Sequence, residues 1–223
     1  MVKRGVRASV QFGKRKIYTG LVVKVHDQRP QAYDVKEIAG LIDREPVVLE
    51  SQIRLWEWIS EYYMCTPGEV FKAALPARLK PGIRSRKKVA GEQSLSRLSD
   101  LNISQLQAFQ EIKDAFTSTD VVLLHGITSS GKTEIYIHLI QEALETGKQV
   151  LYLLPEIALT TQIITRLRAV FGSLIAVYHS RSTDSERIRT WNRLLQPAEE
   201  TESAIQIILG VRSSVFLPFR NLG

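Results

Sequence analysis

The chain has 223 residues, 44% of them hydrophobic, and is therefore long enough to bury the core of one or two domains. No stretch reaches the roughly 18 apolar residues that a membrane-spanning helix needs, and no apolar signal-peptide core follows the charged N-terminus, which predicts a cytoplasmic protein without a membrane partner. The single cysteine, Cys65, excludes an internal disulfide framework and any zinc site built on several thiolates.

Positive charge is concentrated in the first part of the chain. The net charge is +7, but residues 1–90 carry 18 Lys and Arg against 9 Asp and Glu, a balance of +9, whereas residues 91–223 have a balance of −2. A basic segment beside a near-neutral one is typical of a segment that meets a polyanion. Basic surface also serves plain solubility, so the charge alone leaves both explanations open.

The first forty residues have the pattern of β structure. Residues 6–10 and 18–25 are rich in β-branched side chains, and the basic residues 12–16 between them predict a hairpin turn. Residues 35–41 predict a further short strand. Together these segments predict a small β-rich domain with a basic hairpin tip.

Helical periodicity then replaces the strand pattern. Residues 50–63 predict a helix that ends at Thr66-Pro67-Gly68. Its two tryptophans and two tyrosines accompany aliphatic side chains, and the stripe predicts a core face made of Ile53, Leu55, Trp56, Ile59, Tyr62 and Tyr63. Basic and then Gly/Ser/Gln-rich residues follow and have the composition of a linker. We therefore predict a β domain over residues 1–82, a linker over 83–100 and an α/β domain over 101–223.

From residue 101 onward, helical and strand patterns alternate. The predicted helices cover residues 104–116, 134–145, 159–171 and 183–195, and the predicted strands cover 121–124, 149–154, 175–177 and 204–209. Alternation at this spacing predicts an α/β fold with a parallel sheet and helices on both faces. Trp191 lies at helical spacing with Ile188 and Leu195 and is predicted to be core.

One eight-residue motif predicts a nucleoside-triphosphate site. Residues 126–133 read GITSSGKT and match the G-x-x-x-x-G-K-[ST] phosphate-binding loop in full, between an apolar strand pattern and a helix pattern. In such a loop the backbone amides and the helix N-terminus face the phosphates. Lys132 would reach the β- and γ-phosphates, and the Thr133 hydroxyl would hold Mg²⁺. The loop positions expected to bind nucleotide are Gly126, Thr128, Ser129, Ser130, Gly131, Lys132 and Thr133.

The segment after the next predicted strand is suited to an anionic ligand. Pro155 and Glu156 lie at the carboxyl end of that strand, where open α/β sheets bind ligands. Thr160, Thr161 and Gln162 begin the following helix, and their polar groups suit a nucleic-acid phosphate. Simple N-capping by threonine explains the same residues and stays an alternative.

Four sequence patterns occurring in order resemble one family. Residues 126–133 (GITSSGKT), 153–162 (LLPEIALTTQ), 179–191 (HSRSTDSERIRTW) and 210–219 (GVRSSVFLPF) are similar to motifs of the primosomal protein N′ family of bacterial replication-restart DNA helicases. Residues 7–13 and the sequence around Lys36 resemble that family's small β domain, which captures the 3′ end of a DNA strand at a fork. The resemblance implies a RecA-like motor lobe in the second half.

The resemblance assigns roles residue by residue. Gln105 matches the glutamine that reads adenine, and Lys132 and Thr133 match the catalytic pair that holds phosphates and Mg²⁺. The residues implied to touch DNA are Gly13 and Lys36 at the terminal nucleotide and Thr160, Gln162, Arg212 and Ser213 along the strand. The implied partners are forked and single-stranded DNA, primosome proteins and single-strand-binding protein.

The resemblance also implies parts that this sequence does not contain. The family's opening β segment, winged-helix domain, acidic Asp-Glu-Glu-His motif, second motor lobe and zinc-binding insertion have no equivalent in the 223 residues, so no zinc ligands are expected here. We therefore expect a fragment of an ATP-dependent 3′-to-5′ helicase that binds ATP weakly, binds DNA and does not unwind it.

Two other functions stay open at this stage. One is a non-catalytic DNA-binding module in which the α/β half is a vestigial scaffold. The other is a P-loop phosphotransferase, which would not explain a separate basic β domain.

Overall fold

The computed structural model describes residues 2–13, 16–32, 34–76, 79, 97–127, 130–155, 161–196 and 205–223. The chain forms two compact units. The first takes in residues 1–87, 178–204 and 213–220, and the second takes in 88–177, 205–212 and 221–223. The domain boundaries expected from the sequence, at residues 82 and 101, stay predictions. Within the described part of the chain, no helix is both long and apolar enough to cross a membrane.

An antiparallel sheet of three strands opens the first unit. Its strands β1 (Arg7–Phe12), β2 (Lys16–Leu21) and β3 (Ile38–Leu41) are arranged in the order β2-β1-β3. The predicted hairpin is confirmed, since β1 and β2 pair from Phe12 opposite Lys16 back to Arg7 opposite Leu21. Gly13 begins the turn with a φ of 68°, a left-handed conformation that glycine adopts without steric cost.

A buried ion pair ties this sheet to the segment after β3. The guanidinium of Arg7 donates from Nε to Oδ2 of Asp43 at 2.7 Å and from its second terminal nitrogen to Oδ1 at 2.7 Å. The remaining terminal nitrogen donates to the carbonyl of Leu79 at 2.5 Å, and the backbone amide of Arg7 also reaches Asp43. Both side chains are almost fully buried, so each charge depends on the other for its solvation.

Two helices follow the sheet. Helix α1 (Glu50–Tyr62) agrees with the prediction, but the sequence taken as its stop begins a second helix, α2 (Pro67–Ala74). Thr66 caps α2 by accepting from the amide of Glu69, whose carboxylate accepts from the amide of Thr66 in return. Proline directly after such a cap is a helix-start signal. From the sequence alone the same residues indicate the end of α1, so α2 was not predicted.

The predicted aromatic core of α1 is only partly correct. Ile53 and Trp56 are buried, and Trp56 meets Phe71 of α2 edge-to-face at 6.2 Å between ring centroids. Tyr62 and Tyr63 are 65% and 68% exposed, so their assignment to the core is wrong. Helical periodicity identifies the side chains that share one face of α1, but it does not say how much of that face another element covers. Helix α2 packs against the part that includes Trp56.

The second unit is built on a sheet with the strand order β4-β6-β5, from β4 (Val150–Leu153), β5 (Ile175–Tyr178) and β6 (Ile207–Gly210). Strands β4 and β6 run parallel, with Val150 opposite Ile207 and Leu153 opposite Gly210. Helices α3 (Ile103–Ala115), α4 (Lys132–Glu145) and α5 (Thr161–Phe171) accompany it. The main buried cluster joins α4, α5 and the sheet and comprises Ile137, Ile140, Leu167, Phe171, Ile175, Ile207 and Leu209. The predicted α/β fold class is confirmed.

The strand predicted at residues 121–124 is not formed. Val121 and Leu123 are 81% and 86% exposed, and no strand among the described residues pairs with this segment. Backbone amides and carbonyls form a strand only when a neighbouring segment completes the hydrogen-bond ladder. The prediction is therefore wrong for this segment, although its apolar composition is typical of a buried strand.

Helix α6 (Asp184–Leu195) is anchored in the first unit by Trp191. The Trp191 side chain is fully buried, as predicted, and its Nε1 donates to the carbonyl of Val47 at 2.8 Å. A buried indole of this size fills much of the space between its neighbours, and its N–H requires an acceptor.

Replacing Trp191 by phenylalanine is expected to lower the free energy of unfolding by about 1–3 kcal/mol, because the buried carbonyl of Val47 loses its donor. The measurement is urea denaturation followed by circular dichroism. Trp58→Phe is the matched control, since Trp58 is 54% exposed and its replacement is expected to cost no more than about 0.5 kcal/mol. Equal losses in the two variants would contradict the anchoring role of Trp191.

The start of α6 has a capping box that makes stability depend on pH. The backbone amide of Thr183 donates to the Glu186 carboxylate at 2.8 Å and its hydroxyl donates at 3.0 Å. These bonds, the backbone one first, lower the pKa of Glu186. A carboxyl with a lowered folded-state pKa stabilises fully above its unfolded pKa of about 4.3, and the contribution disappears as pH falls through the folded value.

Glu186→Gln is expected to cost a few tenths to about 1 kcal/mol at pH 7, because glutamine keeps the capping geometry and loses only the solvent-screened charge. The difference from the unsubstituted chain should shrink as pH falls below the unfolded pKa of about 4.3 and through the lowered folded-state pKa. Thermal unfolding at a series of pH values measures it, with Glu61→Gln on the exposed surface of α1 as the control. A cost that stays constant from pH 7 to pH 3 would show that charge has no part in the cap.

Candidate functional site

The glycine loop is followed directly by the N-terminus of α4. The helix begins at Lys132, and Gly131 precedes it with a φ of 82°. This left-handed turn directs the backbone amides of the first helical turn toward the space above the helix, where they are suited to an anion. Ser130 and Gly131 lie in the described part of the loop, whereas Thr128 and Ser129 lie outside the described residues.

The ammonium group of Lys132 is held by the loop itself. Its Nζ donates to the carbonyl of Gly126 at 2.6 Å and to the carbonyl of Ile127 at 2.8 Å. The positive charge therefore lies within the curve of the loop, next to the predicted phosphate position. A phosphate would have to take the place of these two carbonyls as the acceptor of Lys132.

Gln105 lies against the same loop. It caps α3 together with Asn102, whose side chain accepts from the amide of Gln105 while Gln105 Oε1 accepts from the amide of Asn102. Its Nε2 donates to the carbonyl of Gly131 at 3.2 Å. A Cβ added at Gly131 would collide with this amide group, so glycine allows the close approach. The predicted adenine-reading residue and the phosphate loop are thus brought together.

The residues around α4 fit a magnesium nucleotide. Thr133 is the second residue of α4 and is half-buried at the helix start. Among the described residues, no group of three or more His, Cys, Asp or Glu side chains forms a dedicated metal cage. Mg²⁺ is ordinarily held by one or two protein oxygens together with nucleotide phosphates and water, so a hydroxyl at this position fits that mode.

Glu134 and Arg166 form an ion pair that the sequence interpretation missed. Glu134 follows Thr133 in the first turn of α4, and its carboxylate accepts from the guanidinium of Arg166 on α5. The Glu134 side chain is only 16% exposed. The adjacency of Glu134 to the phosphate-loop motif was the available signal, but pairing between two helices is not encoded in local spacing.

In the first unit, the two residues predicted to hold a DNA end are in contact. Lys36 Nζ donates to the carbonyl of Gly13 at 2.9 Å, and both residues are exposed. The ammonium group of Lys36 therefore lies beside the hairpin turn at a glycine, where no side chain covers the backbone. Such an arrangement gives a phosphate or a terminal hydroxyl direct access to the backbone.

The other predicted DNA contacts follow the strand ends of the second sheet. Gln162 is exposed in the first turn of α5, after β4, and Arg212 is exposed at the start of a 3₁₀ helix (Arg212–Phe216), after β6. Leu154 donates from its amide to the carbonyl of Gly210 at 2.9 Å, so the carboxyl ends of β4 and β6 lie side by side. Ser213 is also exposed, and Thr160 lies outside the described residues.

Comparison with known proteins distinguishes between the families that share such a loop. The DEAD/DEAH box helicase family matches residues 102–221, which is more than half of the chain. The chain belongs to the DEAD/DEAH box helicase family. The family's ATP and Mg²⁺ requirement agrees with the loop geometry, and its RecA-like fold agrees with the parallel pairing of β4 and β6.

The N-terminal part of this helicase-family chain matches a DNA-binding domain. Residues 1–76 match the 3′DNA-binding domain, which supports DNA as a partner. Both matches confirm the resemblance predicted from the motifs. The predicted roles of the individual site residues stay predictions.

Several curated relatives are named replication restart protein PriA. The one from Rickettsia felis is 35% identical over 196 residues, which is 87% of this chain and 28% of the relative. The one from Treponema pallidum is 31% identical over 225 residues, 98% of this chain and 33% of the relative. The one from Bacillus subtilis is 39% identical over 125 residues, 55% of this chain and 15% of the relative. The chain spans a third or less of the length of these relatives.

Proposed function

We propose that this chain supplies the nucleotide-binding and DNA-binding functions of a replication-restart helicase. The observation that carries the proposal is the contact of Gln105 with Gly131, because it joins the residue proposed to read adenine to the helix start proposed to bind phosphate. In the whole protein the activity would be ATP-driven 3′-to-5′ unwinding at stalled forks, followed by primosome assembly. Primosome proteins and single-strand-binding protein would be its protein partners in the cytoplasm.

The start of α4 and Gln105 would each have a physical task in nucleotide binding. The amides at the start of α4 donate to phosphate oxygens, and Lys132 exchanges the carbonyls of Gly126 and Ile127 for the β- and γ-phosphates. Gln105 donates and accepts at the adenine edge, which would favour ATP over GTP. When bound, Mg²⁺ neutralises charge on the phosphates, and the Thr133 hydroxyl would hold it.

DNA would be bound by both units of the chain. Lys36 and the backbone of Gly13 would hold the 3′-terminal nucleotide, within a segment that has a net charge of +9 over residues 1–90. Gln162, Arg212 and Ser213 would donate to backbone phosphates at the motor lobe. Thr160 is included in this proposal on the sequence motif alone.

A non-catalytic DNA-binding module is the second candidate. The observation that favours it is the engagement of Lys132 with two loop carbonyls, which a vestigial loop would retain permanently. DNA binding that is indifferent to ATP and to Lys132 would support it. A P-loop phosphotransferase has no such support, because the helicase family matches the α/β half and a DNA-binding domain matches residues 1–76.

Fluorescence anisotropy with two forked DNAs tests the DNA-binding part of the proposal. One fork has a free 3′ end at the branch, and the other has the same end blocked. We expect the free end to bind about tenfold more tightly, which corresponds to the loss of one or two hydrogen bonds on blocking. Titrations at two salt concentrations separate this difference from phosphate contacts, which weaken steeply with salt.

Lys36→Ala and Lys24→Ala form the matched pair for this titration. Lys36 contacts Gly13, whereas Lys24 is an exposed lysine of the same unit. Loss of the preference in Lys36→Ala alone supports the end-binding site. Equal binding of the two forks by the unsubstituted chain would mean that a basic surface alone accounts for DNA binding. It would refute the proposed recognition of the 3′ end.

A further inference from the structure

A carboxylate beside a triphosphate site is unfavourable unless its charge is neutralised. Glu134 is one residue beyond the proposed Mg²⁺ ligand Thr133, and its side chain is mostly buried. An unpaired carboxylate there would repel the phosphates and would itself be poorly solvated. Arg166 supplies the opposite charge from α5.

Arg166 also belongs to the helix that begins with a proposed DNA contact. Gln162 and Arg166 are four residues apart in α5 and therefore lie on the same face of the helix, one turn from each other. Both are exposed on α5, while Leu167 and Phe171 anchor the helix in the same buried cluster as Ile137 of α4. The ion pair thus joins the first turn of the nucleotide-binding helix to the first half of the helix that would meet DNA.

We propose that the Glu134–Arg166 ion pair is the link through which bound nucleotide and bound DNA change each other's affinity. This inference rests on the proposed function, because it requires ATP at the loop and DNA at α5. A shift of α4 on nucleotide binding would be transmitted to Gln162 through a charged contact whose carboxylate is mostly buried and whose guanidinium is half-exposed. Glu134 and Arg166 are positioning residues in this account and touch neither ligand.

The second ion pair of α4 gives a matched control. Glu142, near the other end of α4, accepts from Lys113 of α3 at 2.7 Å, with side-chain exposures of 41% and 40%. This pair also connects two helices of the same unit, but it involves neither the helix that carries Gln162 nor the first turn of α4. Its removal should affect stability alone.

The experiment measures binding of a fluorescein-labelled single-stranded DNA with and without a saturating non-hydrolysable ATP analogue and Mg²⁺. The ratio of the two dissociation constants is the coupling factor, and the same ratio must be found for the analogue with and without DNA. We expect a factor of about 10 in the unsubstituted chain, within the usual range for coupled sites. Arg166→Gln and Glu134→Gln should each reduce it to about 1, and Lys113→Gln should leave it unchanged.

The exchanged pair Glu134→Arg with Arg166→Glu distinguishes coupling from simple damage. It restores the ion pair with the two charges exchanged, and we expect it to recover part of the coupling factor. If the single substitutions only damaged the structure, the double substitution would lower the coupling factor at least as much. Wild-type coupling in Arg166→Gln, or a coupling factor of 1 in an unsubstituted chain that binds both ligands, would overturn the inference. Failure of the unsubstituted chain to bind nucleotide or DNA at all would instead overturn the proposed function.

Discussion

Replacing Lys132 by alanine is expected to weaken ATP binding by about 100-fold. Hydrogen bonds to charged groups contribute about 1.5–3 kcal/mol, and each 1.4 kcal/mol corresponds to a tenfold change in affinity. The ammonium already lies within the loop, on the carbonyls of Gly126 and Ile127, so a phosphate arriving there meets a charge held close to its position. Titration with a fluorescent ATP analogue in the presence of Mg²⁺ measures the change.

Lys148→Ala is the control for this titration. Lys148 is a half-buried residue just beyond the other end of α4, where its Nζ donates to the side chain of Asn221 at 3.2 Å in an exposed contact. Its removal changes the net charge equally but should leave ATP affinity within about twofold, because salt screens exposed charges at that distance. DNA affinity should be the same in both variants when no nucleotide is present. An unchanged ATP affinity in Lys132→Ala would favour the vestigial-loop alternative.

Replacing Asp43 by alanine is expected to destabilise the first unit by about 3–5 kcal/mol. The substitution leaves the guanidinium of Arg7 buried without its counter-charge, and only the carbonyl of Leu79 still accepts from it among the described contacts. A loss of this size is a large fraction of the stability of an ordinary domain. Urea denaturation followed by circular dichroism provides the measurement.

Glu45→Ala provides a control two residues away. Glu45 pairs with Lys3 at 2.7 Å, but the two side chains are 73% and 49% exposed. Exposed ion pairs contribute about 0–1 kcal/mol, so this variant should unfold almost as the unsubstituted chain does. The double substitution Arg7→Met with Asp43→Leu is expected to regain part of the stability, because it removes both buried charges but leaves the amide of Arg7 and the carbonyl of Leu79 without these partners. Similar losses from Asp43→Ala and Glu45→Ala would contradict the buried-pair account.

Local patterns in the sequence were sufficient for most elements of the fold. Hydrophobic periodicity located α1, and the basic tip between two β-branched runs located the hairpin. The strand predicted at residues 121–124 failed for a physical reason: apolar composition describes what a strand buries, whereas its existence depends on hydrogen bonds from another segment. The exposure of Tyr62 likewise depends on how far α2 extends over α1. The sequence pattern of α1 alone does not determine that extent.

The sequence could predict which residues belong to the candidate site, but not the contacts between them. The phosphate-loop motif identified Lys132, and the family resemblance identified Gln105. The contact between Gln105 and the loop arises because the N-terminus of α3 lies near that of α4, over a separation of 26 residues. The Arg7–Asp43 and Glu134–Arg166 pairs span 36 and 32 positions in the sequence. Charge pairing at such separations follows from packing and has no local signature.

The apolar run from Val121 to Leu124 has a consequence for experiments on the backbone. Water reaches its side chains, and its inner amides lack a ladder partner among the described residues, so their protons should exchange with deuterium within seconds. The amides inside α4, a few residues later, are protected by helical hydrogen bonds. A peptide covering residues 121–127 would therefore act as an internal reporter of anything that orders the segment leading into the phosphate loop.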